Sequence, residues 1–320
     1  MIDRFSVAVE ALIMKPSFSV LVNNFNYGDF LSDCLDSLMA QNWEHLEVIV
    51  YDDGSTDSSN EILEKYEKQV LVIREKNYGG TPNQNQANSI YQAFLRSSGD
   101  WICLLDSDDV FLEGKLKAIA DSITGNPKAA VFQHAFKEID KYGCFTGRYR
   151  PFLANVDIDS HVQRTHNLLF LFTQTSGLVF SRKYLEEALP LCEDSRDLLW
   201  ADARLTRGAI GRGEIVTIRK PLGGYRVHGS NDSAKLADKT VLREAIRQQY
   251  EYFNELQLAR GLQPIGMPDF YGNPKQSAIV FNVWKRLKIF GIGNAVRYAL
   301  FRLPNVLRPI LKGGVFVKKV

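Results

Sequence analysis

The most constraining feature of this chain is an alternation. Short apolar runs of strand length are separated by stretches whose apolar residues recur at helical spacing. Phe18–Asn23 (FSVLVN), Glu47–Tyr51 (EVIVY), Val70–Ile73, Trp101–Leu105 (WICLL) and Ala129–Phe136 read as strands. Between them, Asp29–Gln41 carries Phe30, Leu31, Cys34, Leu35, Leu38 and Met39 on one helical face. Ser58 followed by Glu61 reads as a capping box opening a second helix that buries Ile62, Leu63 and Tyr66. Asn83–Ser97 and Lys115–Ile123 complete the helical set. Buried strands alternating with amphipathic helices imply an α/β fold, a mostly parallel sheet covered on both faces. Ligands in such sheets bind beyond the carboxyl ends of the strands.

The residues after each strand therefore matter most. The first strand runs into Asn23-Asn24-Phe25-Asn26-Tyr27-Gly28, a polar turn before a helix. The second ends in Asp52-Asp53-Gly54-Ser55-Thr56-Asp57, which is richer in carboxylates than an Asp-Gly turn with a helix cap requires. A carboxylate there can accept the N–H of a uracil or a ribose hydroxyl. The fourth ends in Asp106-Ser107-Asp108-Asp109 directly after five apolar residues. Asp106 and Asp108 share a strand parity and repel unless a cation lies between them. Oxygen donors in this number suit Mg2+ or Mn2+, with diphosphate oxygens and water completing the shell.

Other classes are disfavoured. No G-x-G-x-x-G follows the first strand and no G-x-x-x-x-G-K-[ST] occurs. A net charge of +2 is too small to argue for nucleic acid. Cys34, Cys103, Cys144 and Cys192 form no C-x-x-C pair and read as reduced thiols. No signal pattern or membrane-spanning apolar run is found, so the chemistry is expected in the cytoplasm.

In this setting the chain resembles the family-2 inverting glycosyltransferases, which have the GT-A fold. The resemblance runs through "FSVLVNNFNYGDFLSDCLDSLMAQNWEHLEVIVYDDGSTD", "NYGG" and "GDWICLLDSDD". It resumes at "QTSGLVFSRKYLEEAL", "LLWADARL" and "PLGGYRVHGSN", covering roughly residues 17–232. It implies a nucleotide-sugar donor, UDP-linked by expectation, and a saccharide or lipid-linked acceptor. Asp53, with Asn24 and Asn26, resembles the site for the base. Asp106 and Asp108 match the D-x-D, with Asp108 the direct metal ligand and Asp106 nearer the ribose. Asp202 matches the catalytic base, and His228 a segment that closes over the diphosphate and can touch the metal. The family's arginine-asparagine pair before the D-x-D is absent from Thr81–Gln86, so donor-phosphate contacts there are amide-based or fall to Arg226.

Asp202 also stands on its own pattern. Leu198, Asp202, Leu205 and Ala209 share one helical stripe, which puts a carboxylate on a buried face. Burial raises such a group towards useful basicity. The alternative is a carboxylate satisfied by Arg204 or Arg207, with Asp194 and Asp197 as fallback bases. Gln174-Thr175-Ser176-Gly177 lies near the acceptor by resemblance, or is a plain loop-to-strand junction. Trp200 and Tyr225 either stack on a sugar or pack in the core.

The expected organisation is an arm over 1–16, a nucleotide-sugar half over 17–125, an acceptor half over 126–232 and a basic helical extension over 233–320. No Asp or Glu follows Asp269, whereas Lys275, Lys285, Arg286, Lys288, Arg297, Arg302, Arg308, Lys312, Lys318 and Lys319 are interleaved with Trp284, Phe290, Tyr298 and Phe301. That pattern suits either a cap on the catalytic domain or peripheral attachment of residues 275–320 to the inner face of an anionic membrane. The expected product is a surface polysaccharide or glycolipid. The competing readings are a sugar nucleotidyltransferase and a non-catalytic scaffold.

Overall fold

The computed structural model describes residues 15–267, apart from 152, 154–155, 169–170, 192–193, 195, 230 and 232–237. The expected N-terminal arm and the basic stretch 275–320 thus lie outside the described residues, the arm except for its last two positions. The sheet is built from β1 (Phe18–Asn24), β2 (Leu46–Asp52), β3 (Leu71–Arg74), β4 (Trp101–Asp106), β5 (Val110–Phe111), β6 (Ala129–Ile139), β7 (Phe145–Arg150), β8 (Leu178–Ser181) and β9 (Glu214–Arg226). Its order is β3-β2-β1-β4-β8-β6-β9-β5, with β7 paired to β6. From β3 to β4 every pairing is parallel. Beyond β4 the sheet turns mixed: β8 is antiparallel to both neighbours, while the long β6–β9 pairing is parallel. The expected parallel core is therefore one half of a larger curled sheet of the GT-A kind.

Side-chain parity divides the core. On β4, Trp101, Cys103 and Leu105 pack with Leu31, Leu35 and Leu38 of α1 (Gly28–Met39), Leu63 of α2 (Ser59–Tyr66) and Leu116 and Ile119 of α4 (Lys115–Gly125). Ile102 and Leu104 face the other side, with Ile90 and Phe94 of α3 (Pro82–Leu95), Leu185 of α6 (Arg182–Ala188) and Leu205 of α7 (Ala201–Ala209). Asp106 shares the parity of Ile102 and Leu104, so its side chain is directed towards α3 and α7. A third cluster joins Ile158 and Val162 of α5 (Ile158–Thr165) to Tyr250 and Phe253 of α8 (Lys239–Ala259).

Two local expectations are corrected. Ser58 precedes α2 but makes no side-chain capping bond; Asp57 instead accepts the N–H of Ser59 at 3.0 Å. The capping box forms at α3, where Gln84 accepts the Thr81 N–H at 2.9 Å. Leu198 lies in the turn before α7 and not on its stripe, so Asp202 occupies the first turn of that helix.

Gly54 shows how tightly the strand ends are drawn together. Its φ is +77°, and a Cβ there would sit 2.7 Å from the backbone nitrogen of Asn77. Gly54→Ala is expected to destabilise the chain by roughly 1–3 kcal/mol, from strain and overpacking together. Denaturant unfolding checks it: a midpoint matching that of the parent chain would contradict the prediction.

Candidate active site

The parallel strands end flush. Asn23 lies opposite Asp106 and Asn24 opposite Asp52, so the carboxyl ends of β1, β2 and β4 make one polar row. Asn24 is buried and its Nδ2 donates to Asp52 Oδ2 at 3.1 Å and to Ser55 Oγ at 3.2 Å. Asn26 has φ +56°, and its Oδ1 accepts the Thr56 N–H at 2.7 Å. Both asparagines thereby shape the Asp52–Asp57 loop. Asp53 is 3% exposed; its Oδ1 accepts the Tyr78 N–H and its Oδ2 the Asn77 amide, each at 3.0 Å. Burial raises its carboxyl. The Asn24 Oδ1 and the Ser107 hydroxyl are buried without a hydrogen-bond partner among the described residues. Buried polar atoms left unpaired at strand ends suit a site that receives a polar ligand or ordered water.

Asp106 and Asp202 come together from different parts of the chain. Gln86 of α3 stands between them: its Nε2 lies 3.5 Å from Asp106 Oδ1 and donates to Thr175 Oγ1 at 3.3 Å, while its Oε1 accepts the Ala201 N–H at 3.3 Å. Thr175 Oγ1 in turn lies 3.3 Å from Asp202 Oδ2, and the Ala203 N–H caps Asp202 Oδ1 at 2.5 Å. Burial, then the charges of Asp108 and Asp202, push the Asp106 carboxyl up to about 7. Burial also raises Asp202, against an opposing pull from Arg207. The ordinary satisfaction of Asp202 by an arginine is thus only a partial counterweight. Of the fallback bases, Asp194 is taken by Arg196 at 2.6 Å, and Asp197 accepts from Gln248 at 3.2 Å.

Asp108 faces the end of β9. Its Oδ2 accepts from His228 Nε2 at 2.9 Å and from Asn231 Nδ2 at 3.2 Å. His228 packs on Phe30, with ring centroids 4.6 Å apart, and lines a cavity of about 470 Å³ with Asn26, Tyr27, Asp57 and Lys141. Asp109 is 2% exposed and accepts the Arg226 N–H at 2.8 Å; burial and then Asp108 hold its carboxyl well above the ordinary range. Arg226 is 1% exposed. Its guanidinium donates to the Asp108 carbonyl at 2.8 Å and to Asp33 at 3.1 Å, behind the aspartates.

Among the described residues no three His, Cys, Asp or Glu side chains converge as a ready metal cage. The donor set still fits a hard cation. Asp108 offers oxygen and His228 offers nitrogen; burial, and after it the neighbouring carboxylates, raise Asp106 and Asp109, and a cation relieves the second of these. Two protein donors leave the remaining positions for ligand oxygens.

Gln86, Thr175, Asn231 and Asp109 belong to the site; the sequence placed Gln86 only within the amide-rich Thr81–Gln86 stretch and Thr175 only within Gln174–Gly177, and singled out neither Asn231 nor Asp109. Thr175 and Asn231 lay inside quoted motifs, and Asn231 stands three residues from His228. Tyr225 is buried, edge-on to Phe136 at 5.9 Å and with Arg150 over its ring at 4.4 Å, which is core packing.

The shifts set a sign for pH. The folded chain holds protons on Asp106 and Asp202 that the unfolded chain releases near the ordinary carboxylate value of about 3.9. Stability of the ligand-free chain is therefore expected to fall as pH rises from that value through about 7, where Asp106 titrates in the fold. Unfolding midpoints across that range check this; a stability that rises throughout would contradict it.

The model of the family described as glycosyl transferase family 2 matches residues 19–189. An uncharacterized glycosyltransferase of Nostoc is 29% identical over 248 residues, covering 74% of each chain. The GalNAc(5)-diNAcBac-PP-undecaprenol beta-1,3-glucosyltransferase of Campylobacter jejuni is 28% identical over 174 residues, about half of each chain at 53%. Among solved structures, S. aureus TarS with UDP-GlcNAc has a TM-score of 0.55 at 18% identity, covering 92% of this chain and 86% of that one. The mannosyltransferase PcManGT from Pyrobaculum calidifontis, with GDP-Man and Mn2+, has a TM-score of 0.52 at 14% identity, covering 94% and 81%. The two structural likenesses are likenesses of fold. With the family model spanning more than half of it, the chain belongs to glycosyl transferase family 2.

Proposed function

We propose that this chain is an inverting glycosyltransferase that moves a sugar from a UDP-sugar to an acceptor hydroxyl. The observation that carries the reading is the pairing of a buried, raised carboxyl at Asp202 with Asp106 at the end of β4, through Gln86 and Thr175. One base on one side of the donor site gives a single displacement and inversion at the anomeric carbon. No covalent intermediate on the protein is needed. Asp202 takes the acceptor proton, and burial gives it the basicity to do so. Asp106 accepts from the ribose, and Asp53, with Asn24 and Asn26 shaping its loop, frames the base. Asp108 and His228 would hold Mn2+ or Mg2+, which supplies Lewis-acid stabilisation of the leaving diphosphate. Arg226 holds the Asp108 carbonyl through its guanidinium and the Asp109 carboxylate through its backbone N–H.

The undecaprenol-linked substrate in the name of the Campylobacter jejuni relative supports a glycolipid acceptor in surface polysaccharide or glycolipid synthesis. A panel of nucleotide-sugars assayed for nucleoside-diphosphate release, with Mn2+ and with chelator, tests the reading. Release of UDP that chelation abolishes supports it. Pyrophosphate production would instead indicate a nucleotidyltransferase, and no nucleotide binding with Mn2+ a scaffold.

No helix among the described residues is long and apolar enough to cross a membrane. The reading of residues 275–320 as a peripheral membrane attachment rests on their sequence alone. Each basic residue close to an anionic bilayer adds about 1 kcal/mol, so strong binding that weakens with salt is expected. Sedimentation with anionic and neutral vesicles at two salt concentrations checks it. Equal, negligible binding to both would make a soluble acceptor the better reading.

A further inference from the structure

One buried cation plays no part in the proposed reaction. Lys115, the first residue of α4, is 0% exposed. Its Nζ donates to the carbonyl oxygen of Ser176 at 2.9 Å and lies 3.4 Å from the ring centroid of Phe111. Burial pushes its ammonium down to about 7, although Cys103 and Asp109 pull the other way. A buried charge is expensive, and a hydrophobic residue of similar volume is often neutral or stabilising in its place. Filling this space does not call for a lysine.

The carbonyl it holds belongs to the turn Thr175–Gly177. That turn touches both sides of the site. The Thr175 hydroxyl reaches Asp202, while the Ser176 hydroxyl accepts the Asp106 N–H at 3.1 Å and reaches Asp109. The turn is closely seated, since a Cβ on Gly177 would sit 2.7 Å from the Thr173 hydroxyl and 2.9 Å from the Phe136 ring. Beside the side-chain bonds to Gln86, Asp106 and Asp202, the lysine holds the turn by its backbone, at the Ser176 carbonyl.

We propose that Lys115 is a positioning residue: its bond to the Ser176 carbonyl pins the Thr175–Gly177 turn and thereby sets the separation of Asp106 from Asp202. Lys115 touches neither sugar nor nucleotide. The inference rests on the assignment of Asp202 as base and Asp106 as donor contact. Wild-type release of UDP from UDP-glucose and UDP-GlcNAc with Mn2+ is therefore measured first. Absence of release from the wild type counts against that assignment; the variants below bear on the lysine alone.

Lys115→Met keeps the stem and removes the ammonium. It is expected to fold with a modestly lowered melting temperature, since the buried Ser176 carbonyl loses its donor, and to hold the donor KM within about threefold. Its kcat is expected to fall by about tenfold to a hundredfold, the scale of a misplaced reacting group. Ser176→Ala cuts the hook to Asp106 and is expected to show the same split. In the double variant the two losses are expected to overlap, leaving kcat near that of Ser176→Ala, because both act through one turn. Losses that multiply, a folded Lys115→Met with wild-type kcat, or a kcat that falls only in step with thermal stability would each overturn the proposal. So would a Ser176→Ala chain with wild-type kcat and KM, whatever Lys115→Met does.

Discussion

Asp202→Asn is expected to lower kcat by about 10²–10⁴-fold, the contribution of a general base, with the donor KM nearly unchanged. The amide oxygen can still accept the Ala203 N–H, while the Nδ2 that replaces the second oxygen can donate to the Thr175 hydroxyl, so α7 should form as before. What it loses is the ability to take a proton. The check is steady-state kinetics at saturating donor beside calorimetric binding of UDP. A collapse of donor affinity with kcat preserved would make Asp202 a binding residue. The same base implies an acid limb in the wild-type kcat profile. Asp202 works when ionised and its carboxyl is raised, so activity should be lost as pH falls through a value above the ordinary carboxylate range.

Asp108→Asn is expected to abolish transfer and the metal-dependent part of UDP binding. An amide oxygen is a far poorer ligand for a hard cation than a carboxylate. Its contacts with His228 and Asn231 can survive as neutral hydrogen bonds, so folding is expected to be retained. UDP titrations with Mn2+ and with chelator separate the two effects. Wild-type turnover in the variant with Mn2+ present would remove Asp108 from the reaction.

What the sequence made legible follows from period and position. Strand-length apolar runs identified β1, β2 and β4 because a parallel sheet buries both faces, and their ends then pointed to the Asp52–Asp57 and Asp106–Asp109 loops. The mixed half was harder. β8 is four residues long and runs antiparallel between β4 and β6, and no local pattern states which strand it joins. Gln86 escaped for a related reason. A glutamine in a polar helix start has no periodic signature, and its role comes from α7 arriving beside α3 from 115 residues further along. Arg226 was legible as a charged residue near the diphosphate segment. Its burial behind Asp108 and Asp109 depends on how β9 packs. The Ser58 box failed because Asp57, one residue earlier, offers the shorter route to the helix N–H groups.

The pairing of β5 with β9 has a consequence for how this chain comes into being. The backbone leaves β4 after Asp106 and from Val110 lies against Gly223 and Gly224, where a Cβ on Gly224 would sit 2.7 Å from Val110. The contacts that gather Asp108 and Asp109 span 117 to 123 residues of chain. Local strands and helices form quickly, whereas contacts this distant must wait for the chain between them. On the ribosome, β1 to β4 can pair as soon as they emerge, but the aspartates after β4 remain ungathered until β9 follows. Loss of β9 through a premature stop would therefore leave much of the parallel sheet without its cluster. Recovery of activity on refolding should then track the docking of β9 and lag behind the return of helical signal.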